Sequence, residues 1–465
     1  MRSKWCKYVI FLAMILSVAN INGLFQGVFA QEVVQSKETS GSNLEDLKWQ
    51  LQLMEESAAR QQEQIQAIKE RLDVVAAEPV PVEKIYNKEE LGHAVEDYLS
   101  TDEARKKLGL GLPGVTAMYS PDEEKYSIVF RSSDDKYSLG IGGRMQFRYT
   151  FKDNDADYGA RDTNNIDVRR ARLSFGGNVY GKMLHYYIEL DGDSLDVGIR
   201  DFYVYWTPLE ELNAKMGYFK VPFNQQRMTT SAKLLFQDRA IASEAFDQDR
   251  DYGVDIYGKP LDGYLEYHAA VFNGDGENPA KRVNKDDNKD NELMYVLNLR
   301  YNPFGKYDTI DETDIKNTEK FKATIGASVA FNGKVKDEKP EDTDTLVGVA
   351  ELSMKYRGFS WHNEYFVMTE DPESDGDTVD SDGFFTQAGY FVIPKKLEVA
   401  ARYSLLDPDN DVSDDFGREY ALGVNYYFRA HRSKIQADFG HYVTEEGEEQ
   451  DKQENRVRVQ YQIVF

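Results

Sequence analysis

Six arginines recur at spacings of two or four residues in segments where apolar and polar residues alternate: Arg144, Arg148, Arg170, Arg172, Arg456 and Arg458. Successive residues of a β-strand face opposite sides of its sheet, so each pair projects from one face. Arginine stays charged at any relevant pH and presents a planar fork of donors to oxyanions. The spacing predicts a surface that can hold or conduct anions. The alternative is a structural role, in which these arginines pair with Glu189, Asp191 and Asp201.

Other residue patterns that could support chemistry are weak. Glu266 with His268, and His362 with Glu364, share a strand face, but polar residues fall there by default. The sequence has no HExxH motif, no phosphate-binding P-loop and no nucleophile elbow around Ser360. We therefore expect no enzyme, no metal site and no cofactor.

Composition excludes several classes of protein. The 465 residues include 56 Lys+Arg and 81 Asp+Glu, a net charge of −25, which argues against nucleic acid as a partner. Aromatic residues make up 13% of the chain, too many for an acidic disordered protein. Only the N-terminus has a long apolar run, which excludes a helical protein with many membrane spans but not a membrane β-barrel.

Residues 1–30 have the features of a secretory signal peptide. A basic start and an apolar stretch precede a small-x-small cleavage site that ends at Ala30. Cleavage changes the net charge from −25 to −28 and removes Cys6, the single cysteine. The mature chain therefore has neither disulfides nor a cysteine for lipid attachment. An uncleaved membrane anchor is the alternative.

The next regions predict an arm and a spacer. After an N-terminal mature tail (residues 31–43), apolar residues over 44–78 recur at alternating steps of three and four, with charged residues between them. This heptad pattern predicts an α-helical coiled coil and hence an oligomer, with a single amphipathic helix as the alternative. Prolines then begin a linker or periplasmic segment over residues 79–136.

From residue 137 to residue 465 the period changes to two, which predicts an all-β domain. We count sixteen alternating segments, an even number, as single-chain membrane barrels require. The predicted strands span residues 137–151, 166–179, 183–191, 197–207, 212–220, 252–259, 264–273, 292–302, 320–332, 345–356, 359–367, 383–392, 397–405, 418–428, 433–443 and 455–465.

Three features favour a lipid-facing apolar surface over a soluble sandwich: export, the length of the alternating region, and a chain that ends on Phe465. Short connections alternate with long acidic ones, as between periplasmic turns and extracellular loops. The fold class is therefore a 16-stranded antiparallel transmembrane β-barrel, preceded by the coiled-coil segment. A barrel of this size encloses an aqueous channel. In this arrangement, the six arginines form one basic wall where the first and last strands meet.

The connection over residues 221–251 is long yet less polar than the other loops. A loop of this composition is expected to fold into the barrel and narrow it. Its charged residues are the predicted constriction residues: Arg227, Lys233, Asp238, Arg239 and Glu244.

Four stretches resemble the phosphate-selective porin O and P family. They are Gly-Gly-Arg-Met-Gln at 142–146, Arg-Arg-Ala-Arg-Leu-Ser-Phe-Gly-Gly at 169–177, Met-Gly-Tyr-Phe-Lys-Val-Pro-Phe at 216–223, and the C-terminal ending from residue 458. The resemblance implies a trimer of sixteen-stranded barrels with an arginine-lined channel and basic constriction residues. It assigns channel-lining roles to Arg144, Arg170 and Arg172, and extends to Arg458.

The expected function is an outer-membrane porin, a water-filled channel for small hydrophilic solutes and in particular anions such as phosphate. Its expected partners are two further copies, outer-membrane lipid and lipopolysaccharide, and peptidoglycan through the coiled coil. The long loops are densely acidic, as at Asp407, Asp409 and Asp411, and this would repel anions at low salt. A general or cation-selective porin, and a structural tether between membrane and cell wall, are therefore the alternatives.

Overall fold

The computed structural model places a β-barrel over the C-terminal two thirds of the chain. It describes residues 115–119, 126–154, 161–192, 197–274, 292–333, 343–372, 377–445 and 451–465, together with Tyr98 and Thr101. The predicted signal peptide, mature tail and coiled coil lie outside the described residues. No helix in the described part of the chain is both long and apolar enough to cross a membrane.

Sixteen antiparallel strands close into the barrel, each hydrogen-bonded to its neighbours in sequence, and the last pairs with the first. The first eight are β3 (Ser138–Asn154), β4 (Thr163–Val179), β5 (Leu184–Asp191), β6 (Gly198–Trp206), β7 (Asn213–Lys220), β8 (Arg250–Gly258), β9 (Leu265–Phe272) and β10 (Met294–Tyr301). The other eight are β11 (Lys322–Asn332), β12 (Thr343–Tyr356), β13 (Phe359–Pro372), β14 (Val379–Ile393), β15 (Leu397–Asp407), β16 (Gly417–Arg429), β17 (Ser433–Thr444) and β18 (Lys452–Val464).

The prediction of a 16-stranded antiparallel barrel is confirmed, and every predicted segment overlaps one observed strand. The phase of alternation is also as predicted. On β10, Tyr295, Leu297 and Leu299 are exposed on the outer face, whereas Asn298 and Arg300 are buried inside. The outer surface is therefore apolar, as lipid requires, and the polar phase points into the lumen.

A short hairpin precedes the barrel and was not predicted. Strands β1 (Val115–Tyr119) and β2 (Ile128–Ser132) pair with each other inside the segment assigned to the linker. Strand β2 also pairs with the first residues of β3, on the edge that β18 occupies farther along. The backbone N–H of Gly143 donates to the Phe465 carbonyl at 2.6 Å, and that of Ser127 donates to the Ile141 carbonyl at 3.1 Å. The C-terminus and the hairpin therefore share one edge of β3 end to end.

The two ends of the barrel differ in the length of the connections between strands. At the end where β12 joins β13, here called the turn end, the connections are mostly short. Arg357 and Gly358 form a two-residue turn there, with φ values of 47° and 83°. At the loop end the connections are longer. Among the connections that the structure describes, two run into the lumen, one from each end of the barrel.

The inner loop (residues 221–249) enters from the loop end and carries two short helices, α1 (Gln225–Met228) and α2 (Ile241–Ala245). Its apolar side chains, such as Phe223 and Phe246, pack on inward-facing residues of β9 to β14, among them Phe272, Phe366 and Phe385. Near its middle, Leu235 and Phe236 pack on Ala400 and Ala421 of β15 and β16. The inner loop therefore fills one side of the lumen, in agreement with the predicted inward fold.

The turn-side segment (residues 302–321) enters from the opposite end. Asp311, Glu312, Thr313 and Asp314 are all buried. The Glu312 carboxylate accepts the backbone N–H of Leu235 at 2.7 Å, which joins this segment to the inner loop. The two inward connections therefore support one another within the barrel.

Candidate functional site

A cavity of about 1060 Å³ remains between the inner loop and the wall built by β3 to β8, and it continues towards the turn end. Fifteen lysines and arginines line it, against three acids, Glu189, Asp201 and Glu244. The basic residues are Arg144, Arg169, Arg170, Arg172, Arg200, Lys215, Lys220, Arg227, Lys233, Arg239, Arg250, Lys316, Lys395, Arg429 and Arg432.

Three of these cations bind neutral partners. Arg144 Nη1 donates to Thr230 Oγ1 at 2.8 Å. Lys220 Nζ donates to the carbonyl of Arg227 at 2.7 Å, and Arg239 Nη2 donates to that of Thr229 at 2.9 Å. None of Arg144, Lys220 and Arg239 forms an ion pair with any described residue. Their positive charges are therefore not cancelled by direct contact with a carboxylate.

The local fold explains why Lys220 and Arg239 lie together. Helix α1 ends at Met228, and its last carbonyls have no partner within the helix. Lys220 Nζ binds the carbonyls of Arg227, Met228 and Thr229, while Arg239 Nε binds that of Gln226 at 3.1 Å. Cations are favoured at the carboxyl end of a helix, so this turn concentrates positive charge beside the cavity.

Arg144 also has a donor to spare. It lies on β3 in the inward phase, and its side chain is buried against the inner loop. Its Nε is buried and has no hydrogen-bond partner among the described residues, and the same is true of Ser231 Oγ. A buried donor without a partner is costly, so a bound oxyanion or water would stabilise this arrangement.

Two other arginines of the cavity, Arg172 on β4 and Arg250 on β8, are paired with acids. Arg172 Nε lies 2.8 Å from Asp191 and its Nη1 lies 3.3 Å from Glu189. Arg250 Nε binds Asp201 at 3.2 Å. The proposed role of Glu189, Asp191 and Asp201 as lumen scaffold therefore coexists with a basic lining.

Asp238 of the inner loop collects four arginines. Its carboxylate lies 2.7 Å from both Arg148 Nη1 and Arg458 Nη1, and 3.6 Å from both Arg170 Nη2 and Arg169 Nη2. Burial alone would raise the pKa of Asp238, but the guanidinium groups outweigh burial and hold the pKa well below its usual range. Asp238 therefore remains ionised and anchors the inner loop to the wall.

The six arginines of the predicted basic wall consequently divide into three groups. Arg144, Arg170 and Arg172 line the cavity. Arg148 and Arg458 lie between the wall and the inner loop, and Arg458 also binds Asp438 at 2.7 Å. Arg456 lies nearer the loop end, where it pairs with Glu454 and stacks 4.4 Å from the centre of the Tyr442 ring.

Four of the five predicted constriction residues line the cavity: Arg227, Lys233, Arg239 and Glu244. Arg227 also lies 3.2 Å from Asp247 and pairs with Asp249. Burial, together with neighbouring Arg227, lowers the pKa of Arg239 to about 9, so this side chain remains charged at neutral pH.

Each of the two candidate histidines pairs with a carboxylate of the lumen wall. His362 Nε2 lies 2.9 Å from Glu364, which accepts the backbone N–H of Gln226. His268 pairs with Asp255, at 2.9 Å, rather than with Glu266. Among the described residues there is no cluster of three or more histidine, cysteine or acidic side chains that could hold a metal ion.

Sequence reasoning missed the basic residues at the turn end of the cavity. Lys316 belongs to the turn-side segment, while Lys395, Arg429 and Arg432 lie at or in short connections. Alternation does not assign a direction to residues in turns, so no periodic signal marked them. Lys215 could have been found, because it follows the inward phase of β7, whereas Lys220 falls in the opposite phase, at the last residue of the strand, and is held by inner-loop carbonyls.

The sequence of residues 140–465 matches the family profile described as phosphate-selective porin O and P. This chain belongs to that family. The match spans the whole barrel, from the third residue of β3 to the C-terminus. The inner loop and the basic cavity therefore both lie within the region that matches this family.

One sequence relative and two solved channel proteins are similar to this chain. A relative from Aquifex aeolicus (strain VF5), an uncharacterized protein, is 23% identical over 366 residues, which cover 70% of this chain and 86% of the relative. The solved anion-selective porin from Comamonas acidovorans superposes with a TM-score of 0.53 at 13% identity, covering 70% of this chain and 99% of that chain. The outer membrane channel DcaP of Acinetobacter baumannii gives a TM-score of 0.49 at 12% identity, covering 72% and 99%.

Proposed function

We propose that this porin conducts small anions across the outer membrane, with phosphate among its solutes. The observation that carries the proposal is the lining of the cavity, where fifteen basic residues face three acids in a chain whose net charge is −25. Positive charge on low-dielectric walls raises the local concentration of anions and lowers that of cations.

Arg144, Lys220 and Arg239 are the central residues of this proposal. They are buried or half-buried, they line the same cavity, and their described partners are neutral oxygens. An anion that passes them gains charge-assisted hydrogen bonds without first breaking an ion pair. The family's description and the anion-selective porin from Comamonas acidovorans support the same solute class.

Channel-lining roles are proposed for Arg170 and Arg172 as well, and constriction roles for Arg227, Lys233 and Glu244. Arg148, Arg458 and Asp238 are proposed to hold the inner loop in place. The homotrimer, the cleaved signal peptide and the contact with lipopolysaccharide remain predictions from the sequence and the family.

The test is the ion selectivity of purified protein in a planar bilayer, for wild type, Arg144→Gln and Arg144→Lys. A single charge–charge contact in a water-filled lumen is worth about 1 kcal/mol, so Arg144→Gln should lower the chloride-to-potassium permeability ratio about fivefold. Arg144→Lys keeps the charge and should retain most of the ratio. Added phosphate should reduce chloride current in wild type, and less so in Arg144→Gln.

Arg161→Gln provides the matched control, because Arg161 is exposed at the loop end. An equal effect of Arg144→Gln and Arg161→Gln would contradict a selective role for the cavity. Cation selectivity in wild type would favour the alternative of a general or cation-selective porin, in which the acidic loops dominate.

A further inference from the structure

An aromatic wall lies beside the basic cavity, on the part of the barrel that the inner loop leaves uncovered. Tyr187, Tyr203 and Tyr205 belong to β5 and β6 and point into the lumen, in the same phase as Glu189 and Asp201. These three tyrosines form the aromatic wall. Tyr187 and Tyr203 line the cavity, and all three residues are half-buried rather than fully buried.

The rings form one continuous surface. The centre of the Tyr203 ring lies 5.3 Å from that of Tyr187 and 5.8 Å from that of Tyr205. His185 continues the surface towards the turn end by stacking on Tyr205 at 4.8 Å. Phe219 closes it on the other side, 5.8 Å from Tyr203. By contrast, aromatic residues that pack beneath the inner loop, such as Phe366, are fully buried.

A channel for bare inorganic anions gains nothing from this surface. The face of an aromatic ring carries negative electrostatic potential and does not attract an anion. The Tyr187 hydroxyl does not offset this, because it donates to Glu189 at 3.0 Å. A flat apolar group, however, can stack on such rings.

Basic side chains lie next to the aromatic wall and over its rings. Lys215 Nζ lies 4.5 Å from the centre of the Phe219 ring and 5.7 Å from that of Tyr203. Arg144 and Arg172 line the same cavity on the neighbouring strands β3 and β4. The cavity therefore offers charged donors for an acid group and aromatic faces for a ring at the same time.

We propose that the channel binds and conducts aromatic carboxylates, acids with one flat ring, in preference to aliphatic carboxylates of the same charge. This inference rests on the proposed anion function and narrows its solute class. The carboxylate engages the arginines while the ring stacks on Tyr187 and Tyr203. The cavity volume of about 1060 Å³ leaves ample room for a single-ring acid.

The experiment measures how benzoate, acetate, cyclohexanecarboxylate and gluconate block chloride current through the full-length purified protein in a planar bilayer. An aromatic stack contributes a few-fold to tenfold in affinity, so benzoate should block at a concentration about tenfold below that of acetate. Cyclohexanecarboxylate, which is apolar but not aromatic, should fall between them. Gluconate, a sugar acid, should block no better than acetate.

Substitutions of Tyr203 separate the contribution of the aromatic ring from those of the hydroxyl group and of apolar bulk. Tyr203→Leu should lower the benzoate-to-acetate preference at least threefold, whereas Tyr203→Phe should keep it. Phe202→Leu is the matched control, because Phe202 is the neighbouring residue and is exposed on the outer face. Phe202→Leu should leave chloride selectivity unchanged, since it changes neither a charge nor a residue of the cavity lining.

Equal block by benzoate and acetate in an anion-selective wild type would overturn the aromatic proposal and leave the anion function intact. Stronger block by gluconate than by benzoate would also overturn it, in favour of sugar acids. A cation-selective wild type would contradict the anion function itself, and the aromatic proposal with it.

Discussion

At the scale of single residues, Asp238 shows how one acid can organise a basic lumen. Its carboxylate contacts Arg148 and Arg458 at 2.7 Å, and Arg170 lies 3.6 Å away. The acid reduces repulsion between arginines that would otherwise crowd one another, and it fixes the inner loop against the wall. It also neutralises positive charge that would otherwise act on passing ions.

Asp238→Asn should therefore make the channel more anion-selective. The amide keeps the shape of the side chain but releases one positive charge, worth about 1 kcal/mol or roughly fivefold in the chloride-to-potassium permeability ratio. Reversal potentials under a KCl gradient measure this ratio. Asp411→Asn, the same change at an exposed loop position, is the control when both variants are measured near 1 M KCl, where exposed loop charges are screened. A lower ratio in Asp238→Asn than in wild type would contradict this role.

Asp247 gives the lumen a dependence on pH. Burial raises the pKa of Asp247 to about 6, and Arg227 opposes burial while Glu244 reinforces it. As pH falls from 7.5 to 5.5, the carboxylate gains a proton and no longer offsets Arg227. The chloride-to-potassium permeability ratio should therefore rise as pH falls, by up to about fivefold.

The measurement is the reversal potential at a series of pH values for wild type and Asp247→Asn. The variant lacks the titrating carboxylate, so its ratio should already be high at pH 7.5 and should change little. His431 also lines the cavity, but burial lowers its pKa, so it charges at lower pH than an ordinary histidine. An unchanged pH profile in Asp247→Asn would assign the effect to another group.

The side-chain directions of the strand arginines were largely predictable from the sequence, whereas their contacts were not. The period of two places Arg144, Arg148 and Arg458 on the inward face, and the structure has them there. Alternation cannot tell which of them the inner loop covers, because that depends on contacts between residues far apart in sequence, such as Arg148 with Asp238. It therefore could not separate cavity-lining arginines from loop-anchoring ones.

At the scale of elements, the inner loop and the turn-side segment depend on each other. Glu312 accepts the backbone N–H of Leu235 at 2.7 Å and the side-chain amide of Gln226 at 3.0 Å. Asp311 binds His431 Nε2 at 3.1 Å, and Lys355 Nζ binds the Asp311 carbonyl. The turn-side segment therefore joins the inner loop to β12 and to the connection between β16 and β17.

Glu312→Ala should destabilise the barrel, because it leaves the buried N–H of Leu235 without its acceptor and leaves the Gln226 amide only the longer bond to Gln387 at 3.4 Å. The expected loss in free energy of unfolding is about 1–3 kcal/mol for the unpaired N–H. Urea unfolding followed by tryptophan fluorescence in lipid vesicles measures the loss. Glu319→Ala, in the same segment but exposed, should have almost no effect. Equal stability of the two variants would show that Glu312 does not support the inner loop.

The strands were easier to predict than the connections for a physical reason. A strand with one apolar and one polar face repeats every two residues, so the sequence records it directly. The turn-side segment has no such period, and its burial depends on Glu312 and Asp314 finding partners inside the barrel. The β1–β2 hairpin escaped prediction because its five-residue strands are too short for a clear alternation.

At the scale of the whole molecule, opposite charges are separated between the lumen and the loop end. The chain carries a net charge of −25, whereas most of the charged residues that line the cavity are arginine and lysine. The loop over residues 408–416 contains Asp409, Asp411, Asp414 and Asp415. Asp411 and Asp414 are exposed, and charges at such positions act over about 8 Å at physiological salt and about 30 Å at 0.01 M.

Neutralising the exposed acids should therefore matter only at low salt. Asp411→Asn combined with Asp414→Asn should raise the chloride-to-potassium permeability ratio when both chambers are near 0.01 M KCl. The same variant should match wild type near 1 M, where the screening length is about 3 Å. A salt-independent effect would mean that these acids lie on the ion path rather than at its entrance.

The most direct test of the central claim is the reversal potential of purified wild-type protein in a planar bilayer, under a KCl gradient held near 1 M to screen the outer loops. A lumen governed by Arg144, Lys220 and Arg239 predicts a reversal potential close to the chloride equilibrium potential. A reversal potential near that of potassium would contradict an anion-selective lumen.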